Sequence, residues 1–155
     1  MPVFLRSTLP VLFLLCLALL PVAARAEITA EDVNLRIDTF DEIDRLFKAL
    51  RFKVVNQRSD NRQGAMVYSR ELVELSYRLP ALFDEPSPRE IYPQSRARPE
   101  IWNRKARYDF LLDEFLDNLE MIHDHLDKGQ MSQAGQLIDR TAQSCRRCHN
   151  TFRYR

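Results

Sequence analysis

The chain has 155 residues, 45% of them hydrophobic, which is enough for one domain with a core and too short for two ordinary ones. Three glycines against eight prolines argue against an all-β fold with many tight turns and against a glycine-rich phosphate-binding loop. With 23 basic and 22 acidic residues the formal charge is +1, so no strong basic field points to nucleic acid.

Residues 1–26 read as a secretory signal. Arg6 supplies the positive start, Leu9 to Leu20 is an apolar run broken only by Pro10, and Ala24-Arg25-Ala26 fits the small-x-small cleavage pattern. The run is shorter than the roughly 18 apolar residues that span a bilayer, and the bulky Leu15 before Cys16 argues against a lipoprotein. The expected domain is therefore 27–155, exported to the periplasm and free of the membrane once cleaved. It carries 21 basic and 22 acidic residues, and its two cysteines are Cys145 and Cys148.

Four helices follow from the apolar spacing, with no internal repeat and no sustained period of two. In the first, Val33, Ile37, Phe40, Ile43, Phe47, Leu50 and Val54 recur at steps of three and four, and Thr29 with Asp32 forms a start signal. A polar break over 57–63 precedes the second, marked by Tyr68, Leu72, Leu75, Leu79 and Leu82, with Pro80 expected to end it near Leu79. A loop with Pro86, Pro88, Pro93 and Pro99 comes next. The third helix is expected from an Asn103 cap to Lys128, stopped by Gly129, with Tyr108, Leu112, Phe115, Leu119, Ile122 and Leu126 as its stripe. Ser132 can cap the fourth, whose expected inner face is Ala134, Ile138, Thr141, Cys145, His149 and Phe152. Four such helices with mostly short links pack best as an all-α antiparallel four-helix bundle.

The sharpest chemical signal is Cys145-Arg146-Arg147-Cys148-His149, a C-x-x-C-H run. This is the attachment signal of a c-type haem, one per chain: two thiols add covalently to the vinyl groups and the adjacent imidazole ligates iron. Positions i, i+3 and i+4 share one helix face, so both anchors and the ligand point the same way, toward the inside of the bundle. A structural zinc site wants four separated Cys or His ligands. A thioredoxin-like pair sits at a helix start after a strand, and a disulfide across three residues of a helix is geometrically awkward. Export suits covalent haem, which bacteria attach outside the cytoplasm. Only six residues follow His149, none of them Met or His, so a sixth iron ligand must come from another helix or be missing.

With this motif near the end, followed by Asn150-Thr151-Phe152-Arg153, and with Arg98-Pro99-Glu100-Ile101-Trp102 before the third helix, the chain resembles the cytochrome c′ family of class II c-type cytochromes. An Arg four residues before a bulky apolar residue on the first helix, Arg36 and Phe40, completes the pattern. The resemblance implies that Arg36 meets a haem propionate, with Arg51 a rival on the same face, and that Phe40 covers the distal side of the haem. Six-coordinate relatives place Met at that position; Phe has no lone pair, so the iron is expected to be five-coordinate and high-spin. Arg153, one turn after His149, is expected beside the proximal face, and Trp102 near the loop-to-helix junction. Arg146 and Arg147 fit a solvated helix face, and His123 and His125 flank the third stripe as surface residues.

The resemblance supports electron transfer to a redox partner protein, and alternatively capture of a small gas, NO or CO, at an open iron position. Peroxidase chemistry would want a distal acid–base side chain, so no enzyme activity is expected. Homodimers through the first two helices are common in that family; here Leu35 and Leu46 are the only evident candidates for exposed apolar positions on them.

Overall fold

Thr29 opens the first helix as its sequence suggests. In the computed structural model, which describes residues 28–57 and 61–155, Thr29 Oγ1 accepts from the Asp32 backbone N–H at 3.2 Å. In return Asp32 Oδ2 accepts from the Thr29 N–H at 2.8 Å. This reciprocal box satisfies donors that a helix start leaves unpaired. Helix α1 then runs Ala30–Arg51 and continues through a turn of π-helix, Phe52–Asn56. The expected signal segment and its cleavage point lie outside the described residues, as do 58–60 of the polar break.

Helix α2 spans Arg62–Ser76, capped by Asn61, whose side chain accepts from Gly64 N at 2.8 Å. It ends one turn earlier than Leu79. The ring of Pro80 would clash with the carbonyl four residues back, which is that of Ser76. Pro80 instead starts a short 3₁₀ turn, Pro80–Phe83, and an irregular loop follows.

The third predicted helix is two elements. A single turn, α3, covers Glu100–Asn103, and α4 covers Lys105–Asp127. Asn103 is thus inside α3 and caps nothing: Pro99 already sets the turn, with Asn103 N bonding Pro99 O at 3.0 Å. The break falls at Arg104, whose backbone leaves the helical region at φ −129° and ψ 42°. Gly129 does terminate α4, at φ +72°. Its N–H bonds Leu126 O at 3.0 Å and Gln130 N bonds His125 O at 2.7 Å, the paired closure for which glycine is suited at this position. Helix α5 then runs Met131–Phe152; Ser132 lies within its first turn and Gln130 occupies the cap position.

Helix α1 packs on α2, α2 on α4 and α4 on α5, while the N-terminal half of α5 closes on the π-turn that extends α1. This ring of neighbours is an antiparallel four-helix bundle. Its core is centred on Leu50, Leu72, Leu79, Ile122, Leu126 and Ile138, all fully buried, each worth about 1.5–3 kcal/mol of transfer free energy. Leu46 belongs to this core at 2% exposure, against its expected exposed place, whereas Leu35 is 53% exposed. The buried face of α1 passes through Val33, Arg36, Thr39, Ile43, Leu46 and Leu50, so Phe40 and Phe47 stand at its half-buried margin. Ala65, Ser69 and Ser76 are the small buried residues that bring α2 close to its neighbours. His123 is half-buried and shares a 2.8 Å hydrogen bond with Ser69 Oγ, tying α4 to α2. Among the described residues no helix is long and apolar enough to cross a membrane.

Candidate functional site

The last two turns of α5 carry both cysteines. Their thiols are free and half-buried, and Cys148 packs against the core. Burial pushes both thiols up, Cys148 to about 11, so each holds its proton at neutral pH. His149 stands differently from expectation: it is exposed, at the margin of the buried stripe. The stripe runs through Leu137, Ile138, Thr141, Ser144 and Phe152. Cys145 and His149 each lie one residue, about 100° of helical turn, past Ser144 and Cys148, which turns them toward the opening. Partial burial of the ring, and next the Arg153 charge, hold the imidazole below its usual value, with Asp44 opposing.

Helix α1 meets α5 in antiparallel register. Arg51 donates to Asp139 Oδ1 through Nε at 3.0 Å and Nη2 at 2.9 Å. Two turns toward the other end, Asp44 is near enough to act on both Cys145 and His149. Counted on from Arg51–Asp139 in antiparallel register, Phe40 falls level with His149–Asn150, and Arg36 level with the tail just after α5. Cys145 is half-buried and His149 exposed, with Asp44 the residue of α1 that acts on both, so the two face a half-open seam between α1 and α5.

The inner wall of the seam is aromatic. Phe40 meets Phe83 edge-on at 6.0 Å, Phe83 lies 4.9 Å from Tyr108, and Tyr108 meets Phe152 edge-on at 5.5 Å. Tyr108 is near enough to Cys148 for the two to influence each other, and burial pushes its hydroxyl well above the usual range. Trp102 closes the row on the loop side, its Nε1–H donating to Phe83 O at 3.1 Å. Phe83 and Tyr108 thus join Phe40 as wall residues. Tyr108 was visible in sequence only as a core position, and Phe83 carried no signal.

Arg36 is the outstanding charge, 4% exposed among apolar neighbours. Nη1 donates to Ser87 Oγ at 2.6 Å and Leu82 O at 3.4 Å; Nη2 donates to Ser87 O at 3.0 Å and Ser95 Oγ at 2.9 Å. Its guanidinium carbon sits 4.9 Å over the Phe83 ring. All four partners are neutral, and burial pushes the guanidinium below its usual value. Arg51, the rival, is exposed, paired with Asp139, and belongs to the other half of the seam. Ser87 and Ser95 are the site residues that sequence reasoning missed. They lie 51 and 59 residues from Arg36 in a loop without periodicity.

Arg153 follows α5 directly, its N–H on His149 O at 3.0 Å. The tail pairs with the loop: Tyr154 N bonds Arg96 O at 2.8 Å and Arg98 N bonds Phe152 O at 3.0 Å. Beside them Arg96, His149, Asn150, Arg153, Tyr154 and Arg155 line a cleft of about 140 Å³.

Comparison with known proteins gives one consistent result. The family model described as "Cytochrome C'" matches residues 31–153. A solved cytochrome c′ superposes with a TM-score of 0.73 at 21% identity, over 83% of this chain and 100% of its own. A nitric oxide complex of a mutant cytochrome c prime from Alcaligenes xylosoxidans gives 0.74 at 21% identity, over 84% and 100%. Cytochrome c′ from Rubrivivax gelatinosus gives 0.72 at 18%, over 81% and 96%. At such identities the structural likeness speaks for the fold. No curated protein sequence matches significantly.

A covalent haem c asks for two thiols and an imidazole on adjoining helix positions, an apolar wall, and positive charge for its propionates. Cys145, Cys148 and His149, the Phe40–Phe83–Tyr108 row, and a buried Arg36 that contacts no carboxylate among the described residues fit each requirement. The four-helix bundle is also the fold for which cytochrome c′ is itself a standard example. The chain belongs to the cytochrome c′ family, whose members carry covalently attached haem c.

Proposed function

We propose that the chain is an exported, periplasmic electron carrier whose haem is tethered by Cys145 and Cys148 and ligated by His149. The observation that carries this reading is the placement of the motif: both thiols are half-buried, Cys148 against the core, while His149 stands at the exposed margin of the seam. When bound, the haem supplies a one-electron Fe(III)/Fe(II) couple. The chain's own residues set its surroundings. Phe40, Phe83 and Tyr108 exclude water from the inner wall. Arg36 is the buried cation that a propionate would neutralise, and its Nη donors already hold the loop, so this contact falls to Nε. Arg153 places a fixed charge beside the imidazole. An anchor at the protein margin lets a partner collect an electron without opening the bundle.

A second reading, capture of NO or CO, is favoured by the wall opposite His149. Phe40 and Phe83 offer aromatic carbon there and no lone pair, so neither could ligate an iron held by His149. Two of the three mature methionines do not compete: Met121 is 46% exposed, and Met131 lies 14 residues before Cys145, about 21 Å along α5. Phe40 and Phe83 themselves carry no acid–base group of the kind peroxidase chemistry needs, which favours a carrier or a binder. One solved relative is described as a nitric oxide complex.

Absorption spectra of the purified protein, oxidised, reduced, and reduced under CO, test both readings. High-spin spectra that shift on CO addition are expected, with faster CO uptake in Phe40→Ala. A low-spin reduced spectrum indifferent to CO would refute the five-coordinate site. Haem lost to acid–acetone extraction would refute covalent attachment.

A further inference from the structure

The near-neutral net charge of this chain conceals a separation. Residues 84–107 and 146–155 carry ten Lys+Arg and four Asp+Glu, whereas the remainder of 27–155 carries eleven and eighteen. These two segments form one end of the bundle. The tail bridges the loop at Ala97 and Arg153, and Tyr108 at the start of α4 packs on Phe152 at the end of α5. The cationic end is therefore the end that bears Cys145, Cys148 and His149.

Within it the arginines do two kinds of work. Arg89 and Arg98 stack on the Tyr154 ring at 4.5 and 5.3 Å, and the Tyr154 hydroxyl donates to Glu90 at 2.7 Å. Together with the backbone bridge they fix the tail on the loop. Arg96, Arg153 and Arg155 line the 140 Å³ cleft beside His149, and among the described residues none of the three has a carboxylate within ion-pair distance. The clamp presets the backbone that carries them, so a ligand pays little ordering entropy on arrival. Three unpaired guanidinium groups around a cleft of this size suit a carboxylate, which guanidinium binds through paired N–H donors.

We propose that this end is the docking surface for an acidic redox protein, one of whose carboxylates seats between Arg96, Arg153 and Arg155. The inference rests on the electron-carrier reading and adds to it the charge of the partner and the face it meets. One electron would pass from ferrous haem to the oxidised partner, or the reverse, with the surfaces held by charge complementarity.

Stopped-flow oxidation of the ferrous holoprotein tests this with two small probes of opposite charge, ferricyanide and tris(phenanthroline)cobalt(III). Each takes one electron from the haem. Between about 10 and 500 mM ionic strength, the local field predicts that the ferricyanide rate falls and the cobalt rate rises. The overall charge of about −1 predicts the opposite signs, weakly. An acidic blue-copper protein should exchange electrons about tenfold faster at the low-salt end. Arg96→Glu with Arg155→Glu should abolish these slopes and leave the absorption spectrum unchanged.

A ferricyanide rate that rises with salt, or slopes that survive the double substitution, would overturn the proposal. So would sedimentation with phosphatidylglycerol vesicles together with salt-independent exchange with the acidic protein, which would make the face a lipid contact. Failure of the carrier reading looks different: neither small probe would change the haem spectrum on any timescale of the experiment, and both inferences would fall.

Discussion

Arg36→Met removes the buried cation while keeping an apolar stem of similar reach. The 3.4 Å contact with Leu82 O is too long to count for much. Three bonds remain, to Ser87 Oγ, Ser87 O and Ser95 Oγ, at 2.6 to 3.0 Å. Hydrogen bonds to a charged group contribute about 1.5–3 kcal/mol each, and relief of the cation's desolvation returns part of that. The acceptors left behind are not all stranded. Ser95 Oγ still donates to Ser87 O at 2.8 Å and accepts from Ala97 N at 3.1 Å, and Ser87 Oγ can donate to Glu85 O at 3.3 Å. We therefore expect Arg36→Met to cost about 2–4 kcal/mol in the holoprotein.

Guanidinium unfolding followed by far-UV circular dichroism, with the Soret band as a second probe, measures this directly. The companion variant is Ser87→Ala with Ser95→Ala, which keeps the cation and deletes two of its acceptors. Because a buried cation stripped of acceptors is costlier per lost bond than one removed outright, the serine pair should cost about as much as Arg36→Met, although it removes far fewer atoms. A loss below about 1 kcal/mol for Arg36→Met, with the serine variant milder still, would refute the reasoning. The guanidinium would then do no more than offset its own burial.

Three further outcomes follow from single sites. Ser76 is fully buried with its Oγ unpartnered, so Ser76→Ala should raise stability by up to about 1 kcal/mol, read from the thermal midpoint. Gly129 has φ +72° with open space around it, so Gly129→Ala should lower stability by about 1 kcal/mol through backbone strain alone. The Tyr154 hydroxyl holds Glu90 below the usual carboxylate value. That bond is present in full above the unfolded carboxyl pKa and is lost as pH falls through the lower folded value. Hydrogen exchange of the tail amides should accelerate on that acid limb, and Tyr154→Phe should remove the dependence.

The helices were legible where long apolar side chains alone define the buried face. In α4 every predicted stripe residue except Phe115 is buried, and Phe115 packs half-buried on the core. Elsewhere small or polar residues occupy the contact. Thr39, Ala65, Ser69, Ser76 and Ser144 are buried, yet none of them registers in a count of large apolar side chains. Leu46 and Leu137 escaped for a related reason. Each adjoins another apolar residue, Phe47 and Ile138, and a stripe wider than one residue admits both. The Asn103 and Ser132 caps failed because composition suggests a cap but backbone geometry decides it: Pro99 starts a turn before Asn103, and the closure around Gly129 carries the chain into α5 at Met131.

The site divides along the same physical line. Cys145, Cys148, His149 and Arg153 sit within nine residues, so helical geometry alone relates them. The register of α1 against α5, which brings Phe40 level with His149, needs pairs such as Arg51–Asp139 that are 88 residues apart. Arg36 shows the limit most clearly. Its place on the inner face implied an anion, since a buried cation needs one. The loop acceptors that take its four Nη donors come from Leu82, Ser87 and Ser95, and nothing in a proline-rich sequence marks a serine as facing inward. Those bonds give the loop a purpose beyond connection. They hold it against α1 on one side, while the Tyr154 clamp holds it against α5 on the other. The loop thus bridges α1 and α5 on either side of the seam where a haem would enter, with Arg36 and Tyr154 as its two anchors.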